Sequence, residues 1–134
     1  MRAVYDTNIL VSALLNPDRV PAQAIGMIKE KKATALFDPR ILKEYATILC
    51  RPKFGIPPSD QTLILALFVT LGEEIEGPFP VATLPDKSDE KFLEVAWAGL
   101  AEVLVTGNGK HFPAKLTGIV KAMGPKEFLE YEKK

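Results

Sequence analysis

The chain has 134 residues, 47% of them hydrophobic and 25% charged, which suits one soluble globular domain over residues 1–134 with a real core. Its 17 Lys and Arg balance 17 Asp and Glu, and that formal charge of zero argues against a protein whose main task is nonspecific coating of DNA. The single cysteine, Cys50, excludes an internal disulfide and points to a reducing compartment.

Arg2–Tyr5 reads as a first strand, and Thr7–Leu15 as a short helix ended by "NPDRVP". Only Arg2 precedes the apolar run Ala3–Tyr5, and Asp6 interrupts it, so no signal peptide is expected. No apolar stretch approaches the ~20 residues needed to span a bilayer, so the expectation is a cytoplasmic protein without a membrane partner. Pro21–Lys32 is a second helix, with Pro21 in its first turn and Lys29, Lys31 and Lys32 as a solvated end. Thr34–Phe37 is a second strand and Pro39–Leu49 a third helix, stopped before Pro52. Cys50 follows that helix and is expected to be a small buried hydrophobe rather than a nucleophile.

"RPKFGIPPSD" is a loop rich in Pro and Gly, after which Asp60–Leu71 is a fourth helix started by Ser59 or Asp60. Glu73–Glu76 is a short edge strand, and "GPFPVATLPDKSD" is irregular. Glu90–Leu100 is a fifth helix, Val103–Thr106 a strand, Gly118–Lys121 a short last strand and Pro125–Lys133 a closing helix. Strands alternate with helices, which makes the class α/β with a parallel sheet. In such sheets the functional crevice lies beyond the carboxyl ends of the strands, where Asp6, Thr106 and Asn108 fall.

Three carboxylates stand out. On the third helix Ile41, Tyr45 and Ile48 lie at i, i+4 and i+7, and Glu44 interrupts that apolar stripe. A buried, unpaired carboxylate costs several kcal/mol, so Glu44 needs a cation, a raised pKa, or an edge position reaching water or a lysine such as Lys43 or Lys53. Asp89 tops the stripe of Phe92, Leu93, Ala96 and Trp97, where it reads equally as an ordinary helix N-cap. Asp86 reads alone as a loop residue. If Asp6, Glu44 and Asp89 converge, they repel one another, and a hard divalent cation removes the conflict. Spacing by itself does not supply that convergence.

"VYDTNILVSALL", "RILKEYATILCRPKF" and "DKSDEKFLEVAWAGLAEVLVTGNGKHFP", in that order, resemble three segments of the PIN-domain ribonuclease family. The likeness is to the bacterial and archaeal members described as toxins of toxin–antitoxin pairs, and it spans nearly the whole chain. The resemblance implies a three-layer α/β/α sandwich and Mg²⁺- or Mn²⁺-dependent cleavage of RNA by an activated water. It implies Asp6, Glu44 and Asp89 as metal ligands, Asn8 as a brace for the turn that aims Asp6, Thr106 as a support, and Asp86 in an outer shell. Many relatives carry Asp where this chain has Asn108. Asn offers a neutral oxygen ligand, which should weaken metal affinity.

Arg51, Lys53, Lys110 and His111 are candidate phosphate contacts, with His111 alternatively capping its loop. "GNGK" lacks the spacing and the Ser or Thr of a phosphate loop. Apolar residues on helices two and four (Ile25, Ile28, Leu63, Leu67 and Phe68) are core, with some left for a homodimer or an antitoxin groove. The leading expectation is a metal-dependent endoribonuclease acting on single-stranded RNA. The alternative is a catalytically weak PIN-fold module that binds RNA or protein.

Overall fold

Between each pair of strands the chain crosses over through helices, and every strand pair is therefore parallel. In a computed structural model describing residues 1–133, the strands are β1 (Arg2–Tyr5), β2 (Thr34–Phe37), β3 (Glu73–Glu74), β4 (Val103–Val105) and β5 (Lys121–Met123). Their order in the sheet is β3-β2-β1-β4-β5. The helices are α1 (Thr7–Leu15), α2 (Val20–Lys29), α3 (Pro39–Leu49), α4 (Pro58–Leu71), α5 (Glu90–Ala98), α6 (Ala114–Thr117) and α7 (Pro125–Lys133). Together they form a three-layer α/β/α fold. Among the described residues no helix is long and apolar enough to cross a membrane.

The two faces of the sheet are read from alternation along the strands. Val4 is in register with Leu36 and Leu104. Leu36 meets the end of α5, where a Cβ on Gly99 would sit 2.6 Å from its Cδ1. Tyr5 serves the opposite face. Its ring meets Phe68 of α4 and Phe128 of α7 edge-on, with centroids 5.8 and 5.9 Å apart, and its hydroxyl donates to Ala24 O of α2 at 3.0 Å. Such aromatic pairs contribute about 0.5–1.5 kcal/mol each beyond area burial. Tyr45 of α3 joins this cluster through Phe68 and donates its hydroxyl to Tyr5 O. The backbone at the end of β1 is thereby fixed from below, immediately before Asp6.

β1 is the point at which the winding reverses, with β2 on one side and β4 on the other. A crevice opens at the carboxyl ends of strands at such a reversal. Asp6 follows β1 and Thr106 follows β4, and the ladder continues past the strands through Asp6 N to Val105 O at 2.9 Å.

Several boundaries differ from expectation. α2 stops at Lys29 instead of Lys32, because Lys31 takes a left-handed backbone with φ of 61°. α4 starts at Pro58, two residues early, since a proline is accommodated in a helix's first turn. Its end at Leu71 agrees with expectation; the next residue is Gly72, where a Cβ would lie 2.4 Å from Phe68 O and 2.6 Å from Ala35 O. The edge strand β3 is only two residues long, tied to β1 by Arg2, whose guanidinium donates to both Glu73 carboxylate oxygens at 2.9 and 3.0 Å. The last strand is Lys121–Met123, not Gly118–Lys121, because Gly118 (φ 64°) makes the left-handed turn that closes α6. On α3 the buried positions are Ile41, Tyr45 and Leu49, and Ile48 is half-buried. Cys50 is exposed, not buried: it caps α3 one residue beyond Leu49 and turns its thiol toward Thr47 O.

Candidate functional site

Asp6 occupies the N-cap position of α1, yet its side chain makes no capping hydrogen bond. Its Oδ2 instead accepts from Thr106 Oγ1 at 2.8 Å and from Asn8 Nδ2 at 3.2 Å. Asn8 Oδ1 accepts from Gly107 N at 3.1 Å, and Thr106 Oγ1 accepts from Asn108 N at 3.0 Å. Asn8 and Thr106 thus lock the turns after β1 and β4 together around one carboxylate. Asp6 is 6% exposed. Burial pushes its pKa up, the Thr106 bond pulls against that, and the charge of Glu44 pushes it further up.

Glu44 reaches the same place from α3. One of its oxygens accepts from Thr7 Oγ1, next to Asp6 in the chain, and the other lies 2.6 Å from Lys91 Nζ of α5. The expected lysine partners Lys43 and Lys53 are not used. Lys53 instead sits over the Phe54 ring, 5.2 Å from its centroid.

Asp89 is at the N-cap of α5 but, contrary to an ordinary cap, makes no side-chain capping bond. Asp86 does the local capping, its Oδ1 accepting from Ser88 N at 2.9 Å and Ser88 Oγ at 2.7 Å. Asp89 is 7% exposed, and its buried Oδ2 has no hydrogen-bond partner. His111 Nδ1 lies 2.9 Å from that oxygen, outside the alignment of a hydrogen bond. Burial first, and then the charge of Asp6, push the Asp89 carboxyl up to about 6. His111 Nε2 lies 2.9 Å from Asn108 Nδ2. Asn108 therefore turns its side chain to His111, while one ligand atom each of Asp86, Asp89 and His111 lie within 4.8 Å of one another.

Asp6 stands between the other two acids, feeling the charge of Glu44 on one side and acting on Asp89 on the other, whereas the ligand atoms that cluster most tightly are those of Asp86, Asp89 and His111. Arg51 and Lys110 are exposed, and with Lys53 they make no ion pair with the acids. A profile of the PIN domain matches residues 2–110. The chain belongs to the PIN-domain family. It is 29% identical, over 97% of its length and 90% of the relative's, to the uncharacterized protein MJ1680 of Methanocaldococcus jannaschii. It is also similar in fold to VapBC2 from Rickettsia felis, seen in a crystal structure bound to a DNA fragment from their promoter. That likeness has a TM-score of 0.56 and 19% identity, and covers 91% of this chain and 98% of the other.

In this PIN domain some side chains of the site escape a reading of the sequence. Lys91 stands one residue before the apolar Phe92 and looks like a solvated helix position, but it is largely covered by its pairing with Glu44. Thr7 reads only as part of the "DTN" turn. Asp38, 1% exposed, had a legible signal in the Asp-Pro that opens α3. It caps that helix by accepting from Ile41 N at 2.9 Å and pairs with Arg40 at 2.6 Å, so its role is structural.

Proposed function

We propose that this PIN domain is a metal-dependent endoribonuclease acting on single-stranded RNA, and that it serves as the toxin of a toxin–antitoxin pair. PIN domains are generally metal-dependent nucleases. The observation that carries the reading is the buried Asp89 Oδ2 without a hydrogen-bond donor, beside a second buried acid, Asp6, and within reach of Glu44. A carboxylate-rich crevice of this kind fits a hard divalent cation, Mg²⁺ or Mn²⁺, to which Asp6, Glu44 and Asp89 would contribute oxygens. Such an ion supplies positive charge for phosphoryl oxygens and lowers the pKa of a water.

The chain's own residues hold the crevice ready for this chemistry. Thr106 and Asn8 fix the Asp6 oxygen, and Thr7 and Lys91 fix Glu44. Exposed Arg51, Lys53 and Lys110 are available for the phosphates of a flexible strand. With a neutral chain, that binding is modest and weakens with salt. Away from the acids, α1, α2 and α4 enclose an open apolar groove of about 640 Å³ that includes Leu14, Ile25, Leu63 and Leu67. Ile28 and Phe68 are buried core, whereas Leu63 is 69% exposed. The likeness to VapBC2 supports an antitoxin as a partner, and this groove is the apolar surface that an antitoxin segment would cover. A chain that is dimeric by light scattering would assign it to a second copy instead.

The test is a melting curve with and without Mn²⁺, alongside cleavage of a single-stranded RNA. At about 100 times the dissociation constant, Mn²⁺ should add about 2.7 kcal/mol of stability, and Asp6→Asn should abolish most of it. An equal shift in both proteins removes Asp6 from the ligand set. Folded protein that binds Mn²⁺ and cleaves no RNA at any metal level favours the binding-module reading. Asn108, neutral and engaged with His111, is the feature on that side.

A further inference from the structure

We propose that His111 is a metal ligand, and that with Asp86 and Asp89 it forms a mixed nitrogen–oxygen site favouring Mn²⁺ and later first-row ions over Mg²⁺. The inference rests on the metal-dependent reading of the same crevice and adds a ligand that the carboxylates do not imply. His111 is the single histidine of the chain and lies one residue beyond the stretch matched by the PIN profile.

The geometry carries it. In an octahedral site with bonds of about 2.1 Å, neighbouring ligand atoms stand about 3 Å apart. His111 Nδ1 and Asp89 Oδ2 are 2.9 Å apart, and they are not aligned as donor and acceptor. That spacing is the one that two ligands of a single ion would have. Asp89 Oδ2 is buried and accepts no aligned hydrogen bond, which leaves it open to a cation. Asp86 completes the set, with its candidate ligand atom inside the same 4.8 Å cluster. Both bonds from Ser88 fall on Asp86 Oδ1, which orients that carboxylate from the loop side.

Asn108 then acquires a definite task. An imidazole that ligates through Nδ1 carries its proton on Nε2, and a partner on that nitrogen sets the tautomer and the ring's orientation. The Asn108 amide lies 2.9 Å from Nε2. Its nitrogen and oxygen exchange places by a half-turn of the amide, after which Oδ1 accepts from Nε2–H. Asn108 is thus a positioning residue for His111 and not itself a ligand. Mg²⁺ favours oxygen ligands, whereas imidazole suits the transition ions, and that is the origin of the selectivity.

The experiment uses the untagged full chain, so that His111 is the sole imidazole. Mn²⁺-loaded protein is measured by electron spin echo envelope modulation for coupling to an imidazole ¹⁴N, which requires no variant. Mn²⁺ and Mg²⁺ dissociation constants are then compared for wild type, His111→Gln and Asn108→Ala. The expected result is a ¹⁴N coupling in wild type that His111→Gln abolishes. Mn²⁺ binding should weaken about tenfold or more in that variant, with Asn108→Ala between it and wild type, and Mg²⁺ binding should change far less. Mn²⁺ bound with no nitrogen coupling overturns the proposal and leaves a site of carboxylates alone. Wild-type protein that is folded and binds no Mn²⁺ overturns the underlying metal-dependent reading as well.

Discussion

Lys91 Nζ stands 2.6 Å from Glu44 Oε1, joining α5 to α3 beside the acidic cluster. The other Glu44 oxygen is held by Thr7 of α1, so this single carboxylate ties three helices together. Both members of the ion pair are mostly covered, with side chains 16% and 24% exposed. Removing one partner from such a pair costs more than the pair itself contributes, because a partly desolvated charge is left alone.

Lys91→Met should therefore destabilise the metal-free protein by about 1 kcal/mol, while leaving the fold intact. Metal binding should move the other way, since the substitution removes a positive charge that competes with a cation for Glu44. The melting shift produced by Mn²⁺ should be larger in the variant than in wild type. An unchanged shift would place Lys91 outside the reach of any ion held by Glu44.

Asp89 gives the metal-free protein a distinctive pH dependence. Its carboxyl is raised from 3.8 to about 6 by burial and by the nearby Asp6 charge. The folded state then holds a proton that the unfolded state releases. Stability from this group is fully present below pH 3.8 and is lost as pH rises through about 6. After allowance for solvent screening, the loss is about 1–2 kcal/mol. In metal-free urea denaturation, wild type should lose stability relative to Asp89→Asn across that window. Saturating Mn²⁺ should reverse the trend, because the ion binds the deprotonated form. Parallel pH profiles for the two metal-free proteins would mean that Asp89 is not strained by its neighbours.

The part of this molecule that is legible in sequence is the part governed by local rules. The run Ala3–Tyr5 followed by "DTN" locates both a strand end and the carboxylate beyond it, because apolar periodicity and chain polarity decide those together. Resemblance to the PIN family picks out Asn8 and Thr106, and the structure gives each a hydrogen bond to Asp6. Lys91 is not legible, because its partner Glu44 lies on another helix and their meeting depends on how α3 and α5 dock. Asn108 reads as a weakened ligand on the rim. Its contact with His111 arises only because the short helical turn Gly109–His111 folds the ring back toward it. The end of α2 slips because the chain closes it on a left-handed Lys31, with Lys32 N donating back to Met27 O, a turn that the side-chain pattern does not announce.

Arg40 offers a contrast in which stability changes and the site does not. Its Nε lies 2.6 Å from Asp38 Oδ2, its Nη1 2.8 Å from Glu94 Oε1, and its guanidinium packs 4.7 Å from the centre of the Phe79 ring. Glu94 Oε2 in turn accepts from Ala82 N at 3.0 Å, which ties the irregular segment before α5 to the body of the fold. Arg40→Ala leaves the buried Asp38 carboxylate without its counter-charge and should cost about 1–3 kcal/mol in chemical denaturation. The Mn²⁺ dissociation constant should stay within about twofold of wild type. A large loss of metal affinity would mean that Asp38 and the loop before α5 set the geometry of the acidic cluster.

Thr106 is the most economical probe of how the site is held. Its hydroxyl accepts from Asn108 N and donates to Asp6 Oδ2, so one oxygen links the turn after β4 to the acid after β1. The residue is 2% exposed, and water does not readily replace either bond. Thr106→Val keeps the shape and deletes both bonds, which should cost about 1–3 kcal/mol. The Thr106 bond is also the strongest influence holding the Asp6 pKa down against burial. Without it the carboxyl should rise further, and protons should compete harder with a cation. Mn²⁺ affinity should then fall more at a mildly acidic pH than at a mildly alkaline one, since protons compete less as the pH rises. Thr106→Ser retains the hydroxyl and should restore both stability and the wild-type pH profile. Isothermal titration at the two pH values, with urea denaturation of the three proteins, separates the effects. A Val variant as stable as wild type, with the same affinity at both pH values, would show that Asn8 alone suffices to hold Asp6.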